Sequence, residues 1–126
     1  MISPYVFPGV MVKPKKLNQH ARKRNFIQFT RAVCVEYNVR PQEIHSQSRF
    51  TNFRVPRQVM HTLLRELTGM TIQEIGFLVG RRNHATVLHS VRAVKSQYQT
   101  DKIYRDKLNE VLYRIGAEHL KTTLMQ

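Results

Sequence analysis

TIQEIGFLVGRRNHATVLHSVRAV, residues 71–94, decides how the chain is read. Thr71 followed three residues on by Glu74 is a capping-box pattern ahead of apolar Ile75, Phe77, Leu78 and Val79. Gly80 ends that segment. Asn83 suits the cap of a second helix, with Val87, Leu88, Val91 and Val94 as its buried stripe, running to about Gln97. A short capped helix, a glycine-containing turn and a second capped helix make a helix-turn-helix pattern, whose second helix offers its first residues to a DNA major groove. With Val87, Leu88 and Val91 inward, Asn83, Ala85, Thr86 and His89 cannot all be inward too. Such groups suit base edges: Asn pairs with adenine, Arg with guanine, and a His ring or an Ala or Thr methyl packs on the thymine methyl. The free N–H groups of a helix start also attract phosphate, beside which Arg81 and Arg82 stand.

On either side of this stretch helical spacing continues. Pro56 can open a helix to Thr68, with Val59, Met60, Leu63, Leu64 and Leu67 inward and Gly69 as its stop. Before it, SQSRFTNFR (46–54) has neither periodicity nor an acid and reads as an exposed loop carrying Arg49 and Arg54. Further upstream a basic amphipathic helix is expected from about Lys15 to Tyr37, with Phe26, Ile27, Val33, Cys34 and Tyr37 on one side and Arg22, Lys23, Arg24 and Arg31 in solvent. Pro41 suits the start of a short turn through PQEIHS. Downstream, a last helix from about Asp101 to Leu120 carries Ile103, Leu108, Val111, Leu112 and Ile115 inward. Nothing reads as a strand. The fold class expected is all-α, a helix-turn-helix bundle of about five to six helices over residues 15–126, preceded by an irregular arm, 1–14, punctuated by Pro4, Pro8, Gly9 and Pro14.

Charge points to the partner. The 126 residues carry 21 Lys and Arg against 8 acids, net +13. Residues 1–65 hold twelve of those cations and only Glu36 and Glu43, so the front half is +10 and the rest +3. Nucleic acid heads the list of polyanions, with an anionic membrane surface as runner-up. The cluster KPKKLNQHARKR (13–24) reads equally as a solvated face or a phosphate-tracking one. Cys34 is the only cysteine, which excludes an internal disulfide and a four-thiolate zinc site and suits a cytoplasmic location. The opening MISPYVFPGVMVK lacks the features of a signal peptide, and no run approaches the roughly 18 apolar residues of a membrane span.

The run from Arg54 to Val94 strongly resembles the C-terminal DNA-binding domain of the bacterial DnaA family of chromosomal replication initiators. That family's signature G-G-R-D-H-T-T-V-L-H is written here GRRNHATVLH, and PRQ, RELT and EIG fall at the family's spacing, with the likeness extending over about residues 35–115. The resemblance implies a Trp-repressor-like bundle that binds double-stranded DNA, with His84 and Thr86 at bases and Arg49 in the adjacent minor groove. It places Arg57 and Gln58 in the helix backing the recognition helix, where they are expected at bases together with Asn83 and Ala85. Phosphate contacts are expected from Arg54, Arg65, Ile72, Gln73, Arg81, Arg82 and His89. The departures are Arg81 for a glycine, Asn83 for an acid and Ala85 for a threonine. Arg81 means that the turn either does without positive φ there or carries strain; Asn83 and Ala85 change what the reading end offers to bases.

No enzyme activity, cofactor, metal or nucleotide is expected. There is no G-x-x-x-x-G-K-[ST] loop, so the chain reads as the initiator's DNA-reading end standing alone without its ATPase module. His84 and His89 are five apart, not four, and His45 and His61 have no visible ligand partners. A biological task in control of replication initiation or of transcription, with a mobile element as one setting, is the expectation the resemblance carries. The rival reading is a protein-interaction module using the apolar arm, residues 1–12, for self-association or a partner; structured RNA is a weaker third.

Overall fold

The computed structural model describes the backbone of residues 6–7 and 10–11, and backbone and side chains of 18–48 and 51–126. Arg49, the helix start expected near Lys15 and the apolar surface expected of residues 1–12 lie outside the residues whose side chains are described. Strands β1 (Val6–Phe7) and β2 (Val10–Met11) pair antiparallel, Val6 opposite Met11 and Phe7 opposite Val10. This pairing falls in the stretch read from sequence as irregular; two residues a side is too short for alternation to show.

Seven α-helices follow among the described residues: α1 (Gln19–Tyr37), α2 (Pro41–His45), α3 (Arg54–Thr68), α4 (Ile72–Leu78), α5 (His84–Thr100), α6 (Lys102–Ile115) and α7 (Leu120–Leu124), with a 3-10 turn, Thr51–Phe53, leading into α3. The all-α class holds, and the expected count of five to six is corrected to seven. The helix expected to run from Asp101 to Leu120 divides at Gly116, whose left-handed φ of +71° lets its N–H reach the carbonyls of Leu112 and Tyr113, and α7 forms beyond it. Local chemistry sets the other boundaries. Asn18 Oδ1 accepts from the Ala21 N–H at 2.8 Å. α3 starts two residues before Pro56, which is tolerated because first-turn N–H groups have no intrahelical acceptor. Asp101 ends α5 by donating its N–H to Gln97 O at 2.9 Å and caps α6 by accepting from Tyr104 N at 3.1 Å.

The core gathers one stripe from each helix: Phe29 and Val33 of α1, Ile44 of α2, the α3 run Val59, Met60, Leu63, Leu64 and Leu67, Ile75 of α4, Val87, Val94 and Tyr98 of α5, Leu108, Val111 and Leu112 of α6, and Leu120 and Leu124 of α7. α3 is the central element, packed on α1 and α5. Several residues expected inward are not. Ile103 is 75% exposed, because it stands about 100° around α6 from the Tyr104–Leu108–Val111–Ile115 stripe. Phe77 is 67% exposed, about 200° from Ile75 on α4, and Ile27 and Leu78 are exposed too. Leu88 and Val91 are only half-buried; the inward stripe of α5 is Val87, Ser90, Val94 and Tyr98. Ser90 can occupy that stripe because His61 faces it from α3.

Candidate nucleic-acid interface

The α4–turn–α5 unit is held from three sides. Thr71 Oγ1 accepts from Glu74 N at 3.2 Å and starts α4, while Asn83 Oδ1 accepts from Thr86 N at 2.9 Å and starts α5. Between them the backbone turns through two successive left-handed residues, Gly80 (φ +74°) and Arg81 (φ +48°), so the turn does require positive φ where this chain has an arginine. A non-glycine residue there costs about 1–2 kcal/mol. The Arg81 guanidinium lies 5.6 Å from the Phe77 ring centroid, an exposed cation–π contact that recovers part of that cost. Arg82 N donates to Gly76 O at 2.8 Å, closing the turn against α4. A Cβ on Gly76 would lie 2.2 Å from Arg82 O, so α4 meets the turn at a distance only glycine permits.

From behind, α3 supplies two buried polar side chains one turn apart. His61 holds Val79 O through Nε2 at 3.1 Å and Ser90 Oγ through Nδ1 at 2.9 Å, tying the end of α4 and the middle of α5 to α3. Burial, and the positive charges of Arg82 and Arg57, depress its pKa, so the ring is neutral at pH 7; the bond to Val79 O opposes this and fixes the proton on Nε2. Arg57 donates from Nε to Ile44 O (2.9 Å), from Nη2 to Glu43 O and Ser46 O (both 2.7 Å) and to Ser46 Oγ (2.9 Å), and from Nη1 to Ser48 O. The expectation of Arg57 at bases is therefore corrected. Its side chain is buried and clamps the last turn of α2 and the irregular segment after it, residues 43–48, by their backbone carbonyls. Desolvation, then the charge of Arg82, lowers its pKa from the usual guanidinium value without neutralising it. A sequence signal for both existed: Arg57 and His61 share a helical stripe with Leu64, and a polar residue on a core stripe must find partners inside.

The remaining expected residues divide into a reading tip and a cationic cleft. Asn83, His84 and Ala85 are exposed at the start of α5, with Thr86 half-buried behind them. Arg54, Gln58, Arg82, Thr86 and His89 line one cleft of about 280 Å³ between the starts of α3 and α5, floored by Arg57, His61 and Ser90. Arg82 also donates to Ser48 O at 3.3 Å, so part of its guanidinium is engaged. Arg65 is exposed on the same face of α3 as Arg54 and Gln58, about 16 Å beyond Arg54 along the axis at 1.5 Å per residue. Gln73 is exposed at the start of α4, whereas the Ile72 side chain packs against the core. Among the described residues no helix is long and apolar enough to cross a membrane.

Comparison with known proteins agrees with this architecture. Residues 27–94, more than half of the chain, match the family model described as the bacterial dnaA protein helix-turn-helix. Similar proteins include the chromosomal replication initiator protein DnaA of Symbiobacterium thermophilum, 30% identical over 107 residues that cover 85% of this chain and 22% of the relative. The protein of the same name from Francisella tularensis is 35% identical over 86 residues, 68% of this chain and 18% of the relative. That of Bacteroides thetaiotaomicron is 31% identical over 81 residues, 64% and 17% respectively. The chain thus spans about a fifth of the length of the curated relatives it matches. The chain belongs to the bacterial DnaA-protein helix-turn-helix family, a membership that implies DNA binding through α4 and α5.

Proposed function

We propose that the chain reads duplex DNA by sequence, with the first turn of α5 against base edges in the major groove. The observation that carries this is the division of labour on α5. Val87, Ser90, Val94 and Tyr98 anchor the helix, which leaves Asn83, His84 and Ala85 as an exposed polar tip directly beside the Arg54–Gln58–Arg82–His89 cleft. His84 and Thr86 are assigned to bases, with Gln58 alongside. Arg54, Arg65, Gln73, Arg81, Arg82 and His89 are assigned to phosphates, with Ile72 contributing through its backbone N–H. Arg49 is assigned to the minor groove on the family resemblance alone.

Asn83 makes the reading specific to this chain. Its Oδ1 is occupied by the Thr86 N–H, so what remains for the groove is the amide NH2, a donor only. A carboxylate at this position would cap with one oxygen and present the other as an acceptor. Asn83 therefore favours an acceptor edge, such as guanine O6 or N7, where a carboxylate favours the cytosine amine. The biological role that fits is control of replication initiation or of transcription at sites bearing the element read.

The test is selection of duplexes from a randomised pool, followed by titration of the selected and a scrambled duplex at several salt concentrations. Expected are a steep fall of affinity with salt from phosphate contacts and a preference for the selected duplex that His84→Ala reduces. Asn83→Asp is expected to change the base preferred at one position. Equal affinity for both duplexes, unmoved by His84→Ala, would sink sequence reading and leave non-specific binding.

A further inference from the structure

α1 carries two stripes. Phe29 and Val33 face the core, while Arg24, Gln28, Arg31 and Val35, spaced i, i+4, i+7 and i+11, lie on the opposite side. Along that second stripe lies a shallow, open groove of about 560 Å³, lined by α1 and edged by Arg114 of α6. Its floor is Ile27, Ala32 and Val35, and its rim is Arg24 and Arg31 from α1 and Arg114 from α6. Val35 is 64% and Ile27 42% exposed. Arg114 has Glu36 at 4.0 Å, but among the described residues no carboxylate is within ion-pair distance of Arg24 or Arg31. α5 packs on α3, α4 and α6, so the groove is built on a different part of the bundle from the reading tip.

We propose that this groove docks an acidic amphipathic helix of a protein partner. The rim needs anions and the floor needs apolar side chains, and one helix supplies both when carboxylates flank an apolar stripe. Arg24 and Arg31 are about 10.5 Å apart along α1, the rise between positions i and i+7 of a partner helix. Other occupants fit less well. A second copy brings another +13, and the segment before Asn18 holds Lys13, Lys15 and Lys16 and no acid. A DNA backbone would meet the arginines but leave Ile27 and Val35 in water. An anionic membrane would bury only Ile27 and Val35, little apolar area to hold a helix in its interface.

The probe is a synthetic helical peptide of about 18 residues with a leucine stripe flanked by glutamates. It is titrated into the full 15N-labelled chain beside a scrambled peptide of the same composition, a version with lysine for glutamate, a short duplex, and vesicles of mixed neutral and anionic lipid. Expected is saturable binding with Kd below about 100 µM and amide shifts centred on residues 24–35 and 114. Val35→Asp and Arg31→Glu are each expected to weaken it about tenfold, with Val35→Asp leaving duplex affinity within about twofold. Val35 is exposed, so its replacement leaves the core intact. No binding at about 1 mM peptide, equal binding of the scrambled peptide, or shifts centred on α5 would each overturn the proposal. So would duplex or vesicles perturbing residues 24–35 more than the peptide does, which would assign the groove to phosphate or to lipid.

Discussion

Gly76→Ala puts two effects of opposite sign in competition. Helix propensity alone says that alanine inside α4 should stabilise the domain by up to about 1 kcal/mol. The tertiary contact says otherwise. The new Cβ would sit 2.2 Å from Arg82 O and 3.3 Å from Val87 Cγ2, and the first of these is backbone, which cannot rotate away. Relief requires the turn to move by about 1 Å, and over-packing of that kind costs about 1–3 kcal/mol. The same movement strains the 2.8 Å bond from Arg82 N to Gly76 O, worth a further ~1 kcal/mol. The net expectation is a loss of about 1–3 kcal/mol, a fall in Tm on the order of 5–10 °C for a domain of this size. Because the displaced atoms immediately precede the Asn83 cap, DNA affinity should fall about tenfold or more even at temperatures where the variant is folded. Gly116→Ala is the control: its Cβ meets nothing within 4 Å but its φ is +71°, so it should lose about 1 kcal/mol and leave DNA binding unchanged. Thermal melts and duplex titrations read both. A Gly76→Ala protein as stable as the parent, or more so, would refute the close approach of α4 to the turn.

Arg57→Ala should be among the most destabilising single changes, about 2–4 kcal/mol by urea denaturation, since it strands the carbonyls of Glu43, Ile44, Ser46 and Ser48. A loss of DNA affinity with stability intact would instead return Arg57 to the interface. Arg81→Gly should stabilise by up to about 1 kcal/mol, because relief of left-handed strain exceeds the lost cation–π contact and the added chain entropy, while weakening DNA binding and flattening its salt dependence. Acid should destabilise the fold through His61. Its folded pKa lies below the unfolded 6.5, so the unfolded state binds the extra proton; stability is whole above about pH 6.5 and drains as pH falls toward the depressed value. His45 and His119, also depressed by burial, add to the same slope. Melts at pH 5 and pH 7.5 check it, and His61→Gln should flatten the difference.

Much of this molecule is legible in one dimension because its information is local. The Thr71 and Asn83 caps, the Gly69 stop and the Val59–Leu67 stripe each depend on neighbours within a turn or two, and each stands as read. The rotation of α5 differs from the one its apolar residues suggest by about an eighth of a turn, because Leu88 and Val91 look more buriable than Ser90. The comparison ignores His61, which is 29 residues away in sequence and supplies the serine's partner.

The division runs along the range of the forces. Charge, capping chemistry and apolar periodicity are properties of short windows, and they suffice to specify a basic all-α chain with a helix-turn-helix and a polar tip at Asn83–Thr86. Whether an arginine is a reader or a clamp is not such a property. Arg54 and Arg57 stand three residues apart on one helix, yet the first is exposed at a cleft and the second is spent on four backbone carbonyls of another segment. Likewise, Gly76 looks like an ordinary weak spot in a helix until Arg82 O is set against it. Burial and close approach arise only when distant segments meet, and at those positions desolvation and steric overlap outweigh any preference the residue carries by itself.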